Sequence, residues 1–255
     1  MEKITLYTNP NSRGRIIRWL LEECGADYEV VPVSYGENGT KSADYLAVNP
    51  MGKLPAVKYG NTVITETAAL VAFLSELFPE KNLIPAAGTA ERGEFYRWLI
   101  FALHAEYAFM DKWHGIPETP ERKRSIGYGS FDEVVATLTE FLHGKEYALG
   151  NRFTALDLYL SGLIAWGIMR AQVLDADGEL AAFMKRHAAR PAFAKAQALI
   201  QIGFKGGPDA LSGPQGSALR QRRQADAGAG ACFVLVCRHI RDKRNKSRQG
   251  HGCGK

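Results

Sequence analysis

The stretch Asn49-Pro50-Met51-Gly52-Lys53-Leu54-Pro55-Ala56-Val57 decides how this chain is read: a turn, Asn-Pro-Met-Gly, delivers an X-Pro bond to the start of a short strand. Proline has no N–H, so Pro55 can open a strand but cannot sit mid-ladder, and it holds the residue before it extended. Leu54 therefore presents its backbone to whatever lies beside it, as half of a peptide-binding edge would. Ten residues after Pro55, Thr65-Glu66-Thr67 stands at the head of an apolar helix.

On the N-terminal side, Ile4 to Tyr7 reads as a first strand and Ser12 to Cys24 as a helix with Ile16, Ile17, Leu20, Leu21 and Cys24 on one face, stopped by Gly25. Tyr28 to Val33 is a second strand, a short helix lies near Lys41 to Leu46, and Leu54–Tyr59 with Thr62–Ile64 forms a hairpin about Gly60-Asn61. Thr65 to Phe78 is the third helix, with Thr65 as its cap. This order predicts a mixed sheet covered by helices. Pro79 to Gly88 reads as a linker, and beyond it every period is helical: Thr89–Trp113, Glu118–Leu142, Thr154–Ala171, Asp175–Arg190 and Pro191–Ile200. Thr154-Ala155-Leu156-Asp157 has the form of a capping box.

The chain has 46% hydrophobic and 23% charged residues over 255, which excludes disorder and fibres. The net charge of +5 is misleading. Ten of the 32 Lys and Arg, but two of the 27 Asp and Glu, follow Ala218, leaving 22 basic against 25 acidic residues before it. Residues 205–255, rich in Gly, Arg and Lys and without helical period, read as a basic, disordered tail. Its charge comes with neither interleaved aromatics nor an amphipathic helix, so no nucleic-acid or membrane partner is expected. No signal peptide opens the sequence and no apolar run reaches a membrane span, which predicts a cytoplasmic protein. Cys24 alone lies in the body, the other cysteines match no zinc or disulfide spacing, and no metal site is expected.

The Leu54-Pro55 and Glu66-Thr67 pairs together resemble the N-terminal domain of the glutathione transferase family. The resemblance runs from residue 1 to about 204. It implies a thioredoxin-like α/β domain with a four-stranded mixed sheet over residues 1–78, a linker over 79–88 and an all-α domain over 89–204. It also implies a cis Leu54–Pro55 bond, glutathione as co-substrate, and a homodimer. Leu54 would pair its backbone with the cysteine of glutathione, Thr67 and the helix head would take the γ-glutamyl carboxylate, and Glu66 the α-amino group. Lys53, with Arg13, Arg15 and Arg18, would suit the glycine carboxylate.

Ser12, two residues beyond Pro10, resembles the serine of serine-type transferases. A hydroxyl there can lower the pKa of a thiol from about 8.5 toward neutrality; it can equally be a plain N-cap. Asn11 or Arg13 is an alternative thiolate donor, and Tyr7 a second candidate better suited to the core. An acceptor pocket is expected between the domains, along Asn9, His104, Tyr107, Ala108 and Asp111. The function implied is attack of glutathione thiolate on a small electrophile, as in detoxification. Two alternatives stand beside it: a binding or assembly module that kept the fold, and a glutathione-dependent isomerase, dehalogenase or ether-cleaving enzyme.

Overall fold

The computed structural model describes residues 1–202, so the expected tail over 205–255 lies outside the described residues. Strands β1 (Ile4–Thr8), β2 (Tyr28–Pro32), β3 (Ala56–Tyr59) and β4 (Thr62–Ile64) form one mixed sheet in the order β2-β1-β3-β4. β1 and β2 are parallel, with Ile4 beside Tyr28 and Thr8 beside Pro32, and α1 (Gly14–Cys24) is the crossover that such a pair requires. β3 runs antiparallel to both β1 and β4. Helices α2 (Ala43–Val48) and α3 (Thr67–Leu77) complete a thioredoxin-like α/β unit.

The chain beyond this unit is helical: α4 (Ala90–His114), α5 (Pro120–Ser125), α6 (Phe131–Leu142), α7 (Ala155–Trp166), α8 (Glu179–His187) and α9 (Pro191–Ile202). The fold class is the one expected. Along β1 the alternation buries Ile4, Leu6 and Thr8, and the whole expected face of α1 is buried. Each fully buried Leu or Ile contributes about 1.5–3 kcal/mol. α1 stops where Gly25 turns left-handed and Ala26 N–H reaches the Leu21 carbonyl at 3.0 Å.

α7 lies at the centre. Apolar on nearly every side, as a fully enclosed helix must be, it packs on α1, α3, α4 and α8. Its capping box forms: Asp157 accepts from Thr154 N–H at 2.7 Å, and also from Ala148 N–H at 2.6 Å. Gly162 permits close approach to α1, since a Cβ there would lie 2.6 Å from Ile16 Cγ1. α9 lies along α1, joined by Lys195–Glu22 at 2.6 Å and Arg15–Gln197 at 2.7 Å.

Several boundaries differ from expectation, each for a local reason. The single helix over 118–142 is interrupted after Ser125; Gly129 takes a positive φ, and the Ser130 hydroxyl accepts from Glu133 N–H to start α6 anew. The segment 154–171 is α-helical to Trp166, then widens into a π-helical turn, Gly167–Ala171. α8 starts only at Glu179, behind Gly178, and α1 starts at Gly14 rather than Ser12. α3 starts at Thr67 with Glu66, not Thr65, in the capping position. Among the described residues no helix is long and apolar enough to cross a membrane.

Candidate active site

One end of the sheet collects the residues singled out in the sequence. The antiparallel registers Tyr7–Ala56 and Val57–Ile64 carry the end of β1, Leu54-Pro55 and Glu66-Thr67 to the same edge. The Leu54–Pro55 bond is cis, with Pro55 buried and Leu54 half-buried. Two side chains that the sequence reading gave no role at the site, Tyr45 and the turn-opening Asn49, hold the turn before it. Tyr45 donates its hydroxyl to the Lys53 carbonyl at 2.6 Å, and Asn49 donates to the same oxygen at 2.9 Å while accepting from Met51 N–H at 3.1 Å. An Asn opening Asn-Pro-Met-Gly was the available signal. Lys53 itself projects outward, exposed.

Glu66 takes φ 65°, rare for a residue with a Cβ, and its exposed side chain makes no cap bond. The head of α3 therefore keeps first-turn N–H groups without a side-chain partner, with half-buried Thr67 leading them. Such a helix mouth favours a carboxylate.

At the head of α1 the turn is tightly built. Ser12 Oγ donates to the Asn9 carbonyl at 2.8 Å and accepts from Gly14 N–H at 3.0 Å and Asn9 N–H at 3.3 Å. Gly14 packs so closely that a Cβ would fall 1.9 Å from Thr8 Oγ1. Asn9 is 1% exposed, with its amide donated to Val33 O and its oxygen taken by Asn11 N–H; it braces the turn rather than lining an open pocket. Asn11 is exposed at the tip. Tyr7 is half-buried with its ring 6.0 Å from Tyr45. Arg18 donates to Tyr28, and Arg15 to Gln197, so both turn toward β2 and α9.

Arg13 reaches across to the helical part. Its guanidinium meets Glu106 of α4 at 2.7 Å and lies over the Trp166 ring, 5.1 Å from the centroid. Burial holds the Glu106 carboxyl above the ordinary range, Arg13 opposing it and the Glu66 charge adding to it. Beside them the buried Tyr159 hydroxyl has no hydrogen-bond partner among the described residues; burial, then the Glu106 charge, raises its pKa. Glu106, Trp166 and Tyr159 were invisible in sequence, because only the fold brings α4 and α7 to the first turn.

The expected acceptor wall on α4 is only partly there. Tyr107 is exposed and within electrostatic reach of Tyr159, whereas Ala108 is buried. The Asp111 carboxylate is taken by Arg122 and by Tyr128 at 2.6 Å, and His104 sits against Gly127. Asp111 and His104 thus fasten the segment between α5 and α6 instead of standing free.

Comparison with known proteins agrees with this geometry. The family model described as Glutathione S-transferase, N-terminal domain, matches residues 2–76. Residues 2–76 are a glutathione S-transferase N-terminal domain, and the chain as a whole is similar to bacterial glutathione transferases. The chain is 27% identical to Glutathione S-transferase GstA of Escherichia coli O157:H7, over 73% of this chain and 93% of that one. It superposes on a glutathione transferase from Methylococcus capsulatus with TM-score 0.65 and 28% identity, over 78% of this chain and 99% of the other. A sphingomonad glutathione S-transferase solved with glutathione bound gives TM-score 0.63 and 26% identity, over 78% and 99%.

Proposed function

We propose that the protein is an active glutathione transferase, in which residues 1–78 hold glutathione and residues 89–204 shape the site of a small electrophile. The observation that carries this reading is the convergence, at one end of the sheet, of the Leu54 backbone beside cis Pro55, the open head of α3, and the turn containing Ser12. An anionic tripeptide matches that set. Leu54 offers strand-like pairing, Thr67 and the α3 N–H groups a γ-glutamyl carboxylate site, Glu66 an ammonium site, and exposed Lys53 a cation for the glycine end.

Ser12 is the proposed thiolate donor. Its proton rests on the Asn9 carbonyl. Turning it to a bound thiolate exchanges a neutral hydrogen bond for a charge-assisted one, roughly twice as strong. Two N–H groups donating into the same oxygen polarise the hydroxyl in the useful direction. Asn11 and Arg13 are the neighbours against which this is tested. Dimerisation, the family's habit, is supported by Tyr96 and Ile100, exposed one turn apart on α4, and by Met51 at 67% exposure.

Binding to immobilised glutathione, followed by the pH dependence of thiolate absorbance, tests the reading. The wild type should bind and titrate the bound thiol well below about 8.5, the value of a free thiol. Ser12→Ala should raise that pKa by about one unit or more, near 1.4 kcal/mol, and exceed the effect of Asn11→Ala. Binding without an acidic shift in the wild type would favour the non-catalytic module, and an unchanged shift in Ser12→Ala would remove it as activator.

A further inference from the structure

Beside Ser12 the structure gathers a cationic, aromatic border. Trp166, under the Arg13 guanidinium, meets Trp113 edge-on at 5.8 Å and 90°, and the Arg170 guanidinium lies 5.9 Å from the Trp113 centroid. Tyr35, half-exposed after β2, lies within electrostatic reach of both arginines. The two cations are not equivalent. Arg13 is neutralised by Glu106, whereas Arg170 is exposed and among the described residues pairs with no carboxylate.

Arg170 lies within the π-helical turn Gly167–Ala171. One residue more per turn rotates the next residues by roughly 100° relative to an α-helix. Such turns are rare and are frequently found at functional sites. Indole and phenol rings accept another flat ring, and a guanidinium fork matches a carboxylate or sulfonate.

We propose that the acceptor is an aromatic electrophile bearing a carboxylate or sulfonate, its ring bordered by Trp113, Trp166 and Tyr35 and its anion on Arg170; this rests on the transferase reading. In the reaction the glutathione sulfur bonds to the ring carbon carrying a halide. The carbon–halogen bond breaks with its electron pair leaving on the halide, and the thiol proton passes to solvent.

The test compares chlorodinitrobenzoate with uncharged chlorodinitrobenzene as acceptors for the full chain and for Arg170→Gln. The ratio of kcat/KM for the benzoate over the benzene should exceed that of the uncatalysed reactions. In Arg170→Gln it should fall about tenfold, the size of one charge-assisted contact. An equal ratio in both proteins overturns the inference and leaves the transferase reading intact. A wild type that binds glutathione but conjugates neither acceptor overturns that reading instead. Calorimetric affinities of the two S-aryl glutathione products then decide the inference, and an unchanged preference in Arg170→Gln rejects it.

Discussion

Arg190, at the entry to α9, lays two N–H groups on the Glu23 carboxylate near the end of α1, at 2.6 and 2.8 Å. Glu23 is nearly enclosed and also accepts from the Trp19 indole at 3.0 Å, while the guanidinium caps the Phe153 ring at 3.8 Å. Removing the cation therefore strands a carboxylate with little access to water. Arg190→Met should destabilise the fold by about 1–3 kcal/mol, and Arg190→Lys, which cannot form the fork, by an intermediate amount. Thermal melting checks this, at roughly 2–4 °C per kcal/mol for a chain of this size.

Gly162 tests the seam between α7 and α1. A methyl at this position would stand 2.6 Å from Ile16 Cγ1, well inside contact distance. Gly162→Ala should lower the denaturant midpoint by the equivalent of about 1–3 kcal/mol despite alanine's better helix propensity. Combining it with Ile16→Val should recover part of the loss. Additive losses would mean that the two residues do not meet.

His187 and Asp157 lie 3.8 Å apart in the core and give opposite pH dependences. Burial, with Arg186 and Arg190 adding, pushes the imidazole from 6.5 down to about 4, while burial raises the Asp157 carboxyl to about 6. As pH falls below 6.5 the unfolded chain binds a proton that folded His187 refuses, so stability is lost. As pH falls through 6 folded Asp157 binds its proton first, so stability is gained. Relative to wild type, His187→Phe should become more stable from about pH 6 to about pH 4. Asp157→Asn should lose stability over that window, by up to about 1.4 kcal/mol per pH unit. Denaturant midpoints across the range measure both slopes.

Cys24 is buried, and its thiol is pushed up to about 12 by desolvation. It should stay unmodified by iodoacetamide in the native protein and react fully in denaturant. Peptide mapping by mass spectrometry would show this. Alkylation of native Cys24 at the rate of a free thiol would contradict its place in the core.

The sheet, α1 and the edge built by Leu54-Pro55 and Glu66-Thr67 were legible because each depends on residues close in sequence: a proline without a donor, an apolar face, a glycine stop. Within the helical part, periodicity located the helices but masked their interruptions. Ser130-x-x-Glu133 was a visible start signal inside a stretch whose hydrophobic period ran through it, and the two glycines before it were a stronger signal than the period. Glu66 in the capping position, where a threonine precedes it, reflects a backbone conformation set by the strand it leaves, not by its own preference. The Arg13–Glu106 pair and the aim of Arg170 were beyond reach, because α4 and α7 approach the first turn only after the core has formed.

The placement of α9 along α1, with α7 pressed against α1 and α3, binds the opening and closing stretches of the described chain into one mechanical body. Neither half has a finished outer surface of its own toward the other. Excising residues 1–78 would lay bare the apolar flanks of α1 and α3, so the proposed glutathione site is not a portable module, and heat or denaturant should dismantle the sheet and the helical bundle in a single cooperative step.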